Sequence, residues 1–481
     1  VSNKMQGPKS SMRGAVDGNG DLLRQVGLFS ATVLVISNMV GTGIFTTSGL
    51  IMQELQDPVL LLLCWLCGGI FALAGALCYG ELGARFPKAG GEYVFLRECF
   101  GKLAGFLSGW ISLIVGFSAP IAAAAIAFAT YLYSGLGLDT SWEQPVEVLG
   151  LQAARLSLVN LTAVAAVVVF SLLHYLSVII GSRVQNLLTI SNFALILLFI
   201  ILGLSLGQGS SQNVVQTQGW SGFSAQGFAV SLIFVFFAYS GWNAAAYLGG
   251  EIKNPGRNIP LALVLGTLLV IGLYLLLNLV FVYSMPPEEM QGVVDVGAKS
   301  ARSLFGQGMS RFLSLAVALG ILSAVSAMVM TGPRIYYAMS RDGVFFTRLA
   351  RVNPERRTPA YSIILQGGIA CVMVVTAAFE ALLMYIGFTL SIFAMLTVVG
   401  LMRIRRSRPQ TAGGYRTLGY PLTPLFFILG NLWIIYYMLQ SRPLSGVFGL
   451  GTIAAGVLVY LGFAYRERLR LVLPGKNIGS K

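Results

Sequence analysis

The sequence predicts an all-α membrane protein of twelve transmembrane helices, the first and sixth of them broken. Three observations lead there. Of 481 residues, 56% are hydrophobic and only 10% charged, whereas a soluble domain carries about 25% charged residues. Apolar stretches long enough to cross ~30 Å of hydrocarbon recur along the whole chain. Two of them, five stretches apart, carry glycine and small polar residues at their centres, where lipid offers no water to satisfy freed backbone groups.

The twelve stretches cover residues 28–52, 58–80, 103–134, 157–178, 184–206, 226–249, 259–284, 309–337, 360–379, 381–402, 421–440 and 444–464. Residues 1–24 are polar, contain no apolar signal-peptide core, and read as a cytoplasmic tail, as do residues 465–481. The 32 Lys and Arg give a net charge of +14. With the N-terminus inside, 26 of them fall on the inner side and five on the outer, and Arg334 lies in or beside the eighth stretch. The inner set includes Arg341, Arg348, Arg351, Arg356 and Arg357, and Arg403, Arg405, Arg406, Arg408 and Arg416. That asymmetry is the positive-inside pattern, with both termini cytoplasmic. It accounts for the basic charge through the lipid bilayer, with no nucleic acid as partner.

Groups for catalysis are sparse. The one histidine, His174, stands alone on an apolar stretch, without a second ligand for a metal and without a phosphate-binding glycine loop in the sequence. Cys64 and Cys67 have a CxxC spacing but sit in the second stretch, where small buried residues are the simpler reading. "NLT" at Asn160 lies inside the fourth stretch and is discounted as a glycosylation site. No metal, no cofactor and no enzymatic activity are expected. The 18 acidic residues all fall in loops or at span ends, Glu81, Glu251 and Glu380 among them. A buried intramembrane carboxylate would signal a proton or cation relay, and its absence argues against one. It also argues against a pocket that neutralises a cationic side chain.

The bundle therefore needs backbone to handle a polar solute. In "NMVGTGIFTTSG" (Asn38 to Gly49), Gly41, Thr42 and Gly43 interrupt the first stretch. In "FVFFAYSGWNAAAYLGGE" (Phe234 to Glu251), Ser240, Gly241 and Asn243 interrupt the sixth. Broken helices expose N–H groups to an anion and C=O groups to a cation. Corresponding breaks in two halves of a transporter point to its binding site. Glycines that merely let helices pack closely are the competing reading.

These residues resemble the amino acid–polyamine–organocation superfamily, and within it the bacterial relatives of the L-type amino acid transporters. "VGTGIF" (Val40 to Phe45) and "FAYSGWN" (Phe237 to Asn243) match the family's two breaks. "ELGARFPKAGGEYVFLRECFG" (Glu81 to Gly101), "VQNLLT" (Val184 to Thr189), "NPGRNIP" (Asn254 to Pro260) and "RDGVFF" (Arg341 to Phe346) match in order. The resemblance covers Leu22 to Arg470. It implies five helices (25–206) related to five more (226–402) by an inverted repeat, the LeuT-type fold, with two added helices (421–464). It implies alternating access around a midplane site for an amino acid. The substrate carboxylate is then expected at the amides of Gly41, Thr42 and Gly43 and at the Thr42 hydroxyl, with Ile44 also counted in the substrate site. The ammonium is expected at carbonyls near Met39, Val40, Phe237 and Ser240, with Ala238, Gly241 and Asn243 completing the pocket and Phe237 as its aromatic gate.

Three departures narrow the expectation. Ser240 stands where relatives that accept cationic amino acids can carry an acid, which favours neutral substrates. Ala244, Ala245 and Ala246 are smaller than their counterparts. Asn192 stands where many relatives have a lysine, in the coupling-site region, and an amide does not titrate. Ser323 and Ser326 offer hydroxyl oxygens for a sodium site there, although such hydroxyls more often bond their own helix. The outer loop from Ser134 to Gln152 has no cysteine, so no disulfide-linked heavy chain is expected. The expectation is a bacterial inner-membrane exchanger of neutral L-amino acids, a monomer or weak homo-oligomer. Alternatives are an ion-coupled permease for cationic amino acids, amines or polyamines, and a non-transporting amino-acid sensor.

Overall fold

The computed structural model describes residues 24, 26–88, 90–148, 151–176, 178–215, 222–351, 359–408 and 414–472. α1 (Leu28–Met39) and α2 (Gly43–Leu55) are two halves of the first apolar stretch, bent by 43° at the break. Asp57 starts α3 (Pro58–Arg85) by accepting the Val59 and Leu60 amides at 2.8 and 2.9 Å, with proline at the first helical position. α4 (Glu92–Phe100) is a short helix folded back before α5 (Lys102–Ile111). A π-helical segment, Ser112–Ser118, joins α5 to α6 (Ala119–Leu136). Pro120 has no N–H for the carbonyl four residues back, and the wider π turns precede it.

β1 (Glu143–Val148) and β2 (Leu151–Ser157) pair antiparallel, Glu143 opposite Ser157. This hairpin lies between apolar stretches three and four and is the departure from an all-helical expectation. The chain continues through α7 (Leu158–Leu176), α8 (Val178–Ser205) and α9 (Ser211–Val215) to α10 (Ala225–Tyr239) and α11 (Ala244–Tyr247), the two parts of stretch six. α12 (Pro255–Ser284), α13 (Pro287–Met290), α14 (Val296–Phe305), α15 (Gln307–Arg341), α16 (Ala360–Thr376), α17 (Phe379–Ser407), α18 (Leu422–Ser441) and α19 (Pro443–Val472) complete it. Among the described residues eight helices are long and apolar enough to cross a membrane, and the bent pair α1–α2 makes a ninth. Ile190–Ser205, Ala225–Tyr239 and Ala360–Thr376 are shorter apolar helices. The protein is a multi-pass, helical membrane protein.

Small residues set the packing. α3 lies along α12 and α10, where Gly83 faces Ile259 and Gly68 faces Val235 so closely that a Cβ would come to 2.7 and 2.2 Å of them. Ala122 to Ala125 of α6 are all fully buried, and α6 packs on α15. Backbones approach this way where lipid supplies no hydrophobic drive between helices. The five cysteines are free thiols.

Charges gather at the two ends. At one end Glu81 binds Arg405 through two hydrogen bonds and accepts the Thr417 hydroxyl at 2.9 Å. There too Arg97 meets Asp342 at 2.5 Å, and Tyr93 donates to the same carboxylate at 2.6 Å. At the other end Arg442 bridges Glu54 at 3.0 Å and Glu380 at 3.1 Å, and Ser134 donates to Asp295 at 2.7 Å. The connections α3–α5, α15–α16 and α17–α18 thus meet at the first end, called the basic end below.

Glu81 is fully buried while Arg405 is partly exposed. Removing one partner of such a pair leaves an uncompensated charge, at a cost of about 3–5 kcal/mol. Glu81→Ala should lower the melting temperature of the detergent-purified protein clearly. The double change Glu81→Leu with Arg405→Leu should recover much of the loss, as thermal melting of the two variants will show.

Candidate functional site

The two breaks face each other across the middle of the bundle. α1 ends at Met39 and α2 begins at Gly43. The amides of Gly41, Thr42, Gly43 and Ile44 donate to no described backbone or side-chain acceptor, while the next, Phe45, bonds the Thr42 carbonyl at 3.0 Å. α10 ends at Tyr239, and Gly241 takes φ +99°, a conformation that disfavours side chains. The contacts between the breaks are reciprocal. A Cβ on Gly43, after the first break, would lie 2.3 Å from the Ala238 Cα, before the second. A Cβ on Gly241, inside the second break, would lie 2.5 Å from the carbonyl oxygen of Asn38, which precedes the first. Glycine is required at both positions so that two main chains can touch.

Tyr274 of α12 holds both ends. Its hydroxyl is 2.6 Å from the Met39 carbonyl and 3.1 Å from that of Ala238. A hydroxyl has one proton, so the shorter contact takes it and the longer shares it. At the basic end Val26 pairs with Ile252, its amide on the Glu251 carbonyl and its carbonyl on the Lys253 amide, both at 2.9 Å. The entry to the first span and the exit from the sixth are thereby tied together.

Two cavities adjoin the breaks. The smaller, ≈ 40 Å³, is walled by Met39, Gly41, Thr42, Gly43, Phe237, Ala238 and Ser240, with Ala324 and Met328 from α15. The larger, ≈ 150 Å³, runs on from Phe237 and Ser240 past Gly241 and Asn243 to Glu92. Phe237 and Ser240 belong to both walls. Val40 and Ile44 line neither. Val40 offers its carbonyl to the Asn192 amide at 3.5 Å, and Ile44 is packed in the core.

Three of the carbonyls expected to receive an ammonium are therefore already engaged, Met39 by Tyr274, Val40 by Asn192 and Phe237 by the Ser240 amide at 3.0 Å. The expectation took every carbonyl at the break as free, but a membrane interior supplies internal donors for such groups. Each oxygen keeps a second lone pair. Asn192 is buried, and its Oδ1 has no partner among the described residues. Gly320 leaves the room for it, since a Cβ there would be 2.4 Å from that oxygen. Ser326 is bonded to His174 at 2.9 Å, and Ser323 is buried away from both cavities.

Several cavity residues gave no clear signal in the sequence. Tyr274 is one aromatic among many in an apolar stretch. The π-helical segment turns Ser112, Gly116 and Phe117 onto the larger cavity, and only Pro120 hinted at irregularity in that span. Glu92 is the main correction. The sequence places it in a loop, and acids facing the pocket were not expected. Yet α4 packs against α17 and carries Glu92 inward until 8% of it is exposed, on the wall of the larger cavity.

A sequence profile described as amino acid permease matches residues 26–462. Similar curated proteins include the b(0,+)-type amino acid transporter 1 of Mus musculus, 30% identical over 92% of this chain and 88% of that protein. The serine/threonine exchanger SteT of Bacillus subtilis is 27% identical over 93% of this chain and 98% of its own length. The large neutral amino acids transporter small subunit 2 of Mus musculus is 29% identical over 93% and 82%.

The contact between Gly43 and Ala238 gives a direct test of this geometry. Gly43→Ala should force the breaks apart and cost about 1–3 kcal/mol as an overpacked core does. Gly272→Ala, on α12 where a Cβ meets open space, should change stability by less than about 1 kcal/mol. Thermal melting of the two variants beside the parent protein measures the difference.

Proposed function

The chain belongs to the amino acid permease family, as an L-type-like member of the amino acid–polyamine–organocation superfamily and not as an enzyme; from that premise we propose that it carries neutral L-amino acids by alternating access, in exchange mode. One observation carries the reading. Four consecutive amides, Gly41 to Ile44, have no acceptor among the described residues where the first helix breaks, and three of those residues line a cavity whose opposite wall is the sixth-span break. A carboxylate satisfies such donors, helped by the positive end of α2. The ammonium of the same zwitterion takes the remaining lone pairs of carbonyls at the ends of α1 and α10.

Neutral side chains follow from Ser240, which brings no charge to the junction of the two cavities. Exchange follows from Asn192, an amide that hydrogen-bonds the Val40 carbonyl and carries no proton through the cycle. The reciprocal contacts of Gly43 with Ala238 and Gly241 with Asn38 are those expected of an inverted repeat, residues 25–206 against 226–402. Nine long spans and three shorter apolar helices would make twelve. The basic end is read as cytoplasmic, with both termini on that side, in a bacterial inner membrane. No disulfide-linked heavy chain is needed, and the working unit is read as a monomer or weak homo-oligomer.

Counterflow tests the proposal. Proteoliposomes preloaded with an unlabelled neutral amino acid should take up the labelled one faster than empty vesicles. An imposed proton or sodium gradient should not drive accumulation. Absence of trans-stimulation by every neutral amino acid would refute the transport reading, and stabilisation by ligand without flux would favour a sensor. Thr42→Val should lower exchange about tenfold or more, the effect of losing one hydrogen bond to a charged group. Phe237→Ala should also lower it while leaving expression intact, and unchanged kinetics in both variants would remove the site assignment.

A further inference from the structure

Three carboxylates, Asp57, Glu81 and Glu92, are buried among the described residues. Asp57 caps α3 and Glu81 has Arg405. Glu92 has no Lys or Arg within ion-pair distance among the described residues. Its Oε1 accepts the Tyr79 hydroxyl at 2.6 Å and the Asn243 side-chain amide at 3.0 Å. Its Oε2 accepts from no described residue, and the side chain stands on the wall of the ≈ 150 Å³ cavity. A buried carboxylate without a cation is costly, and two neutral donors on one oxygen offset the cost only in part.

Among the aromatic residues that line the same cavity are Trp242 and Tyr247. The Tyr79 ring that holds Glu92 packs edge-on against Trp242 with centroids 4.6 Å apart. Tyr247 lies over the neighbouring Gly91, where a Cβ would be 2.5 Å from its ring, and its carbonyl accepts the Gly90 amide at 3.0 Å. Arginines cover Tyr93, Tyr337, Phe100 and Tyr420, but among the described residues none covers Trp242 or Tyr247. A carboxylate oxygen and two aromatic rings lining one cavity, with no internal cation, match the chemistry of an organic ammonium ion.

We propose that Glu92, Trp242 and Tyr247 form a second binding site, for an organic ammonium group, between the sixth-span break and the basic end. The proposal extends the reading above, in which the smaller cavity holds the zwitterion, but the second site needs no carboxylate on its ligand. A primary amine should therefore occupy it alone. Burial raises the Glu92 carboxyl above the usual carboxylate range, so a proton competes with the amine at a higher pH than it would at an exposed carboxylate. The groups that face Glu92 are Tyr79 from α3 and Asn243 and Tyr247 from the sixth span, with Thr397 of α17 behind Tyr79. Ser108 and Ser112 line the same cavity. All are uncharged near neutral pH. On α4 itself Arg97 is engaged with Asp342. Amine binding requires the ionised carboxylate, so it should weaken as pH falls through the raised pKa and be full above it.

The test is calorimetric titration of n-butylamine into the full chain in nanodiscs, alongside the neutral amino acid that gives the strongest counterflow. Butylamine should bind the parent protein, and Glu92→Gln should weaken it about tenfold or more, the effect of losing a charge-assisted partner. Thr42→Val should weaken the amino acid and leave butylamine unchanged. If Glu92→Gln does not fold, the parent protein still decides, because its butylamine affinity should fall as pH is lowered from 8 to 5. Butylamine that fails to bind, or binds independently of Glu92 and pH, overturns the second site whatever the amino acid does. An amino acid that fails to bind while butylamine binds through Glu92 sinks the substrate reading and leaves the second site standing. Residual, Glu92-dependent binding of the amino acid to Thr42→Val supports departing substrate as the occupant; amine binding alone supports a free amine.

Discussion

The hydroxyl of Tyr274 is the contact on which the centre of this protein depends. A helix broken inside a membrane leaves carbonyls and amides with no water to receive them. One phenol from α12 reaches the last carbonyl of α1, Met39, and the carbonyl of Ala238, one residue before the end of α10. It thereby fixes the ends of α1 and α10 side by side. Asn192 does the same for Val40 from the opposite flank. The amides of Gly41 to Ile44 are left without acceptors among the described residues. They present donors to the smaller cavity, which has no charged side chain on its wall.

Legibility in the sequence followed the kind of force involved. The spans were legible because hydrocarbon demands long apolar runs, and most helix limits fall within a few residues of those runs. The breaks were legible because glycine beside small polar residues is conspicuous in such a run, and both lie where expected. The partners of the breaks were not. Tyr274 and Glu92 act through tertiary contacts across long sequence separations, and nothing local marks them. Glu92 was misjudged for a specific reason: a loop position was equated with exposure, whereas α4 folds under the bundle and buries its first residue. The hairpin β1–β2 escaped because apolar periodicity speaks only for the spans.

The charge layout separates two tasks. Paired ions at the ends, such as Arg442 between Glu54 and Glu380, join connections that belong to different helices. These pairs are partly exposed, and partly exposed ion pairs cost little to exchange for water. The smaller cavity instead is lined by backbone and uncharged side chains, and Glu92 is the one acid on the wall of the larger. In the proposed function the zwitterion is therefore held at the breaks without a charged side chain beside it.

The central claim is that the breaks recognise both charged ends of one amino acid. It is tested most directly by displacement of a labelled neutral amino acid from the purified protein by three unlabelled analogues: the same amino acid, its N-acetyl derivative and its carboxamide. The account predicts displacement by the free amino acid only, because each derivative removes one charge that a break must receive. Equal displacement by either derivative would show that one end of the zwitterion goes unrecognised, and would contradict it.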